Sequence, residues 1–155
     1  MLSLVRSVLS TLGAKIIHEA VDGPGAIELM TVHQPDIVIC DWQMEPMNGL
    51  DFVRLIRRDE TSRHRLVPII MLTAHSEMAR VKEARDCGVT EFLVKPISAK
   101  SIYSRIREII EHPRPFVNSA DYFGPDRRRR QAKISVADRR VAAPRDDPGK
   151  PLGRS

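Results

Sequence analysis

Residues 37–41 read Ile37-Val38-Ile39-Cys40-Asp41, four apolar side chains closed by a carboxylate. An unbroken apolar run of this length suits a strand buried on both faces, as in parallel sheets covered by helices. Two more runs have the same form. Pro68-Ile69-Ile70-Met71-Leu72 leads into Thr73, its proline tolerated at the first strand position, and Phe92-Leu93-Val94 leads into Lys95. Around them the apolar period changes to that of helices. Leu2, Val5, Val8, Leu9 and Leu12 recur at helical spacing before Gly13. Asp22-Gly23-Pro24 opens a helix carrying Ile27 and Met30, and Leu50, Val53 and Ile56 mark the next. Residues 77–87 form a weakly apolar helix closed by Gly88, with only Met78, Val81 and Ala84 for its buried stripe. Ser98 caps the last helix, whose stripe is Ile102, Ile106, Ile109 and Ile110 and whose stop is Pro113. Residues 15–20 (KIIHEA) add a short strand. Strands alternating with helices predict an α/β fold, a doubly wound parallel sheet with helices on both faces.

The composition, 42% hydrophobic and 29% charged over 155 residues, is that of a globular protein. No apolar run reaches membrane-spanning length and the amino end carries no cleavage-site pattern, so the expectation is a cytoplasmic protein with no membrane partner. Cys40 and Cys87 are spaced as neither a metal knuckle nor a disulfide framework, and the five histidines are scattered. The net charge of +5 divides unequally: residues 1–112 sum to −1 and residues 113–155 to +6. The basicity therefore belongs to the tail. That tail holds six of the eleven prolines and the arginine run 127–130, without apolar periodicity. The reading is a domain over 1–112 and a Pro/Arg-rich, largely disordered basic tail over 113–155. Nucleic acid is a partner only through this tail, and a solvated tail is the plainer reading. Tyr122 and Phe123 offer an alternative, folding back onto the domain as a small clamp.

Open parallel sheets bind ligands outside the carboxyl ends of their strands. Asp41, Thr73 and Lys95 each directly follow an apolar strand, so a carboxylate, a hydroxyl and an ammonium share one rim. Such a set can accept a phosphoryl group: Asp41 as nucleophile, Lys95 as counter-charge and Thr73 as hydroxyl donor. A divalent cation is normally needed as well, because carboxylate and phosphoryl oxygens repel one another. Each residue alone has a bland reading as a turn former, cap or solvated lysine; the joint pattern carries the inference.

The stretch Asp41-Trp42-Gln43-Met44-Glu45-Pro46-Met47-Asn48-Gly49-Leu50, with Met71-Leu72-Thr73-Ala74 and Phe92-Leu93-Val94-Lys95-Pro96, resembles the response-regulator receiver domain of bacterial two-component systems, of the stand-alone chemotaxis type, over roughly residues 1–112. The resemblance implies a flavodoxin-like sheet of order 2-1-3-4-5. It implies Asp41 as phosphoacceptor, with Thr73 and Lys95 as the groups that follow the phosphoryl oxygens. It also implies a cis peptide before Pro96, and Phe92 as the aromatic whose rotamer follows phosphorylation; a plain core phenylalanine is the alternative. Gln43 matches the position whose backbone carbonyl, with Asp41, ligates Mg²⁺. Its side chain and that of His75 stand where dephosphorylation is tuned. The implied partners are a sensor histidine kinase or phosphotransfer protein and a downstream target protein. The implied reporting surface is the helix over 78–87, residues 92–94 and the helix over 98–111.

The chain departs from the family in two places. Glu45-Pro46 shifts the loop proline by one, and Asn48 replaces the usual Asp. More seriously, the family begins with an apolar strand ending in an acidic pair that holds Mg²⁺, and the sequence opens inside the first helix instead. With the first strand and the acidic pair absent, weak or absent Mg²⁺ binding is expected. So is an internal Met1, with a natural start about ten or more residues earlier, one strand's length. Two other classes compete. An aspartate-nucleophile phosphohydrolase of the haloacid-dehalogenase type wants a second Asp two positions after the nucleophile, where Gln43 stands. A degenerate receiver would act as a phosphorylation-independent interaction module.

Overall fold

The computed structural model describes residues 1–128. Three parallel strands, β1 (Val38–Asp41), β2 (Ile69–Thr73) and β3 (Glu91–Val94), lie in chain order. The register pairs Asp41 with Leu72 and Thr73 with Val94, so the three strands end nearly level. Every residue of β2 is buried, as the unbroken apolar run required of a central strand.

Period-two alternation along β2 divides the interior. Ile69 and Met71 join Cys40 in a core completed by α2 (Gly23–Val32), α3 (Gly49–Arg58) and α4 (Val81–Asp86). Ile70 and Leu72 face the other way, into a core with Val5 and Val8 of α1 (Leu2–Thr11) and Ile102, Ile106 and Ile109 of α5 (Ala99–Glu111). Helices thus cover both faces of a flavodoxin-like α/β sheet. The expected caps are in place. Asp22 accepts from the Gly25 N–H at 2.8 Å, Ser98 accepts from Ser101, and Gly13 and Gly88 close their helices at φ +88° and +100°. Two stripes are narrower than their periodicity: Ile110 is exposed on α5, and Leu2 and Leu12 are exposed on α1. The weakly apolar helix over 77–87 is a 3₁₀ turn, His75–Arg80, followed by only six residues of α-helix.

Residues 15–20 do not form the expected strand. A strand needs a neighbouring ladder, and among the described residues the outer edge of β1 pairs with none. The segment instead has no regular secondary structure and is tied down by an Arg6–Glu19 ion pair at 3.1 Å and by stacking of His18 on His33.

The second departure is at the carboxyl end. Residues 116–125, read as part of a disordered tail, form an antiparallel hairpin of β4 (Phe116–Ser119) and β5 (Tyr122–Pro125). The fold-back alternative is the one the structure adopts. Four-residue strands cannot show periodicity, and their burial comes from aromatic rings and arginines that a count of aliphatic residues overlooks. Residues 129–155, including the rest of the arginine run, lie outside the described residues.

Candidate functional site at the strand rim

The sheet brings Asp41 and Lys95 into contact from the ends of β1 and β3. Lys95 Nζ donates to Asp41 Oδ2 at 2.7 Å, and both side chains keep about a quarter of their surface in solvent (27% and 25%). The other carboxylate oxygen, Oδ1, accepts the backbone N–H of Gln43 at 3.0 Å. Thr73 ends the strand between them and is fully buried; its hydroxyl donates to the Ala74 carbonyl at 3.0 Å. Backbone bonds lock the three ends together. The Trp42 N–H donates to Leu72 O at 2.9 Å, and the Lys95 N–H donates to Thr73 O at 2.8 Å.

The loop after Asp41 is held close to it. The Gly49 N–H donates to Trp42 O at 2.9 Å, and a Cβ on Gly49 would run into the Asp41 carbonyl. Only glycine allows this approach. Trp42 is buried in the core, with Met44 and Met47 packed against it. Asn48, where the family usually has Asp, caps α3 by accepting from the Asp51 N–H at 2.9 Å, so the exchange leaves the cap intact. The peptides before Pro96 and before Pro46 are both cis; the first was expected, the second was not.

Phe92 is partly buried and packs against the core under α2–α4. Gln43 is exposed beside Asp41. The side chain of His75 lies outside the described ones. Glu77 was not singled out from sequence, yet its carboxylate accepts the Ala74 N–H at 2.9 Å and pins the loop that follows Thr73. The sequence carried no signal for it, because alanine at position 74 gives no capping-box pattern and only the Glu77 half of that exchange is made.

Among the described residues no three His, Cys, Asp or Glu side chains converge as a metal cage. Mg²⁺ takes six oxygen ligands in octahedral geometry, usually one or two carboxylates and several waters. Asp41 supplies one carboxylate, so the side chains here fall short of a dedicated site. Cys40, next to Asp41 in sequence, is a poor nucleophile: burial, aided by the Asp41 charge, pushes its thiol up to about 12.

The profile of the response regulator receiver domain matches residues 1–107. The chain is 33% identical over 108 residues to chemotaxis protein CheY-3 of Vibrio cholerae, an alignment covering 70% of this chain and 82% of that protein. The crystal structure of CheY4 from V. cholerae superposes with a TM-score of 0.62 at 27% identity, over 69% of this chain and 87% of that one. A similar fold, with a TM-score of 0.62 at 24% identity over 71% and 88% of the chains, is the receiver domain of sensor histidine kinase PA1611 from Pseudomonas aeruginosa, which holds a magnesium ion in its active-site cleft. No described helix is long and apolar enough to cross a membrane.

Proposed function

The chain belongs to the response regulator receiver family, whose members signal in two-component phosphorelays, and on that premise we propose that Asp41 is its phosphoacceptor. The observation that supports this reading is the 2.7 Å contact of Lys95 Nζ with a partly exposed Asp41 carboxylate at the level rim of a parallel sheet. A carboxylate oxygen attacks phosphorus, an acyl phosphate forms, and the bond to the donor breaks. With a phosphohistidine donor, the released imidazole takes up a proton. Lys95 then faces added negative charge and Thr73 can turn its hydroxyl from Ala74 O toward the new oxygens, biasing a two-state equilibrium. The donor is a sensor histidine kinase or phosphotransfer protein, and the output is contact with a downstream protein through α4, β3 and α5. Gln43, in place of a general acid, argues against turnover of small phosphates.

Labelling with radioactive acetyl phosphate, with and without Mg²⁺, tests the reading. The parent chain takes up label that alkali releases, and Asp41→Asn takes up none. Label retained by Asp41→Asn would refute the assignment. The second reading, a phosphorylation-independent interaction module with weak or absent Mg²⁺ binding, is favoured by the lack, among the described residues, of any cluster of three His, Cys, Asp or Glu side chains that could hold a metal. It gains if the parent takes up no label at millimolar Mg²⁺ and its partner binds an Asp41→Ala chain equally well.

A further inference from the structure

The β4–β5 hairpin docks at the end of the sheet opposite Asp41, and arginines make most of its contacts. Arg65 lies over the Phe123 ring at 3.5 Å from its centroid, and Arg57 over Phe116 at 4.9 Å. Arg114, just before β4, donates to the Thr90 carbonyl and to Glu91 Oε1, at the start of β3. The base of the hairpin is closed by the Asp126 N–H donating to Pro115 O at 2.8 Å. Just past β5, Arg127 pairs with Asp86 of α4 at 2.8 Å while its guanidinium covers the Tyr122 ring at 3.7 Å. Gly124 sits against Gly88, the residue that closes α4: a Cβ on Gly124 would lie 2.8 Å from Gly88 Cα.

Besides an exposed ion pair of Glu83 with Arg54 of α3 at 3.0 Å, helix α4 has little else to hold it. It is six residues long and buries one side chain, Ala84, so its own packing against the sheet is small. Helices this short are not stable by propensity. The hairpin touches its last residue, its closing glycine and the strand that follows.

We infer that residues 114–127 form an intramolecular clamp that grips the carboxyl end of α4 and restrains its movement, an in-cis brake on the surface through which the domain would signal. The grip is independent of Asp41 chemistry, since every contact in it exists without a phosphoryl group.

Amide hydrogen exchange on the full chain tests the clamp. The informative amides are those of Cys87, Gly88 and Val89, which donate back into α4. With Arg127→Glu these amides exchange about tenfold faster, the scale of one partly desolvated cation–π contact and one ion pair. With Gly124→Val, which blocks docking sterically, the increase is at least as large. Amides of α1 and α5 keep the parent rates. The control Asp86→Arg is the sharpest arm. A cation at a helix carboxyl end is favoured by the dipole and, without a clamp, would slow exchange in α4; the clamp requires exchange to quicken. Combining Asp86→Arg with Arg127→Glu restores the opposite charges and recovers most of the protection. Unchanged α4 amides in Arg127→Glu, slower exchange in Asp86→Arg, or equal acceleration in α1, α4 and α5 would each overturn the proposal.

Discussion

The two ends of the sheet are built on opposite principles. At the Asp41 rim one ion pair stands partly open to water, flanked by a buried threonine and a loop pinned to the backbone. At the other end, four arginines are spent on carbonyl oxygens, aromatic rings and carboxylates, one of them, Arg57, buried. Arg57 is the extreme case. Only 3% exposed, it donates to the carbonyls of Arg65, Val67 and Gly88, and burial pulls its pKa down to about 10. Charge at the rim is available for chemistry; charge at the far end is consumed by structure. The same residue types at the two ends should therefore fail in different assays.

Arg57→Met breaks the contrast hardest. The aliphatic stem still packs, but three carbonyl oxygens lose their donor, at about 1 kcal/mol or more each. Urea denaturation should show a loss of about 3 kcal/mol, with acetyl phosphate labelling at Asp41 unchanged where the chain remains folded. A loss below about 1 kcal/mol would mean that water or backbone readjustment replaces the guanidinium.

Lys95→Met is the mirror image. Its ion pair with Asp41 is about a quarter exposed on each side, so its contribution to stability is within about 1 kcal/mol. Labelling should slow by about 10- to 100-fold, since the cation that faces the incoming phosphoryl oxygens is gone. A large stability loss with normal labelling would assign Lys95 to the structural class of the far end.

These pairs also explain what could be read in advance. The rim was legible because each of its three polar residues follows an unbroken apolar strand: Asp41 after 37–40, Thr73 after 68–72 and Lys95 after 92–94. Continuous apolarity fixes a buried parallel strand, and the residue after it must emerge at the sheet edge. The far end was not legible. Arg57 lies on the buried face of α3 among Phe52, Val53 and Ile56, where a periodicity rule assigns a charged residue to solvent. Residues 116–125 have few aliphatic side chains and sit between prolines, so composition argues for disorder although Phe116, Tyr122 and Phe123 each find an arginine. The strand at 15–20 failed for the converse reason: its pattern is sound, but a strand is a property of a pair.

Arg114→Met sharpens the comparison within the far end. Glu91 is 2% exposed and keeps Arg105 at 3.5 Å on its other oxygen, so the carboxylate is weakened in its pairing rather than abandoned. The expected loss is about 2 kcal/mol, less than the cost of stripping a buried charge of its only partner. A larger loss in Arg114→Met than in Arg57→Met would move the anchor of the hairpin from α3 to β3.

The smallest effect lies beside the rim, in Cys40, and its sign distinguishes a buried group from an available one. The thiol is raised from 9.0 to about 12 in the folded protein, first by burial and then by the charge of Asp41. Below pH 9 the thiol is protonated in both folded and unfolded chains, and it makes no contribution to pH dependence. Between pH 9 and 12 only the unfolded chain releases the proton, so stability falls as pH rises. From pH 8 to pH 10 the loss is about 1.4 kcal/mol, because pH 10 lies one unit above the unfolded thiol's pKa while the folded thiol stays protonated. Cys87 is also raised by burial and adds a decline of the same sign. Urea titrations at the two pH values, on the parent and on Cys40→Ala, isolate the Cys40 part, because the Cys87 part is common to both. A Cys40→Ala chain that loses as much stability as the parent would mean that the thiol ionises in place, and that the rim is wetter beneath Asp41 than the packing of Cys40 with Ile69 and Met71 allows.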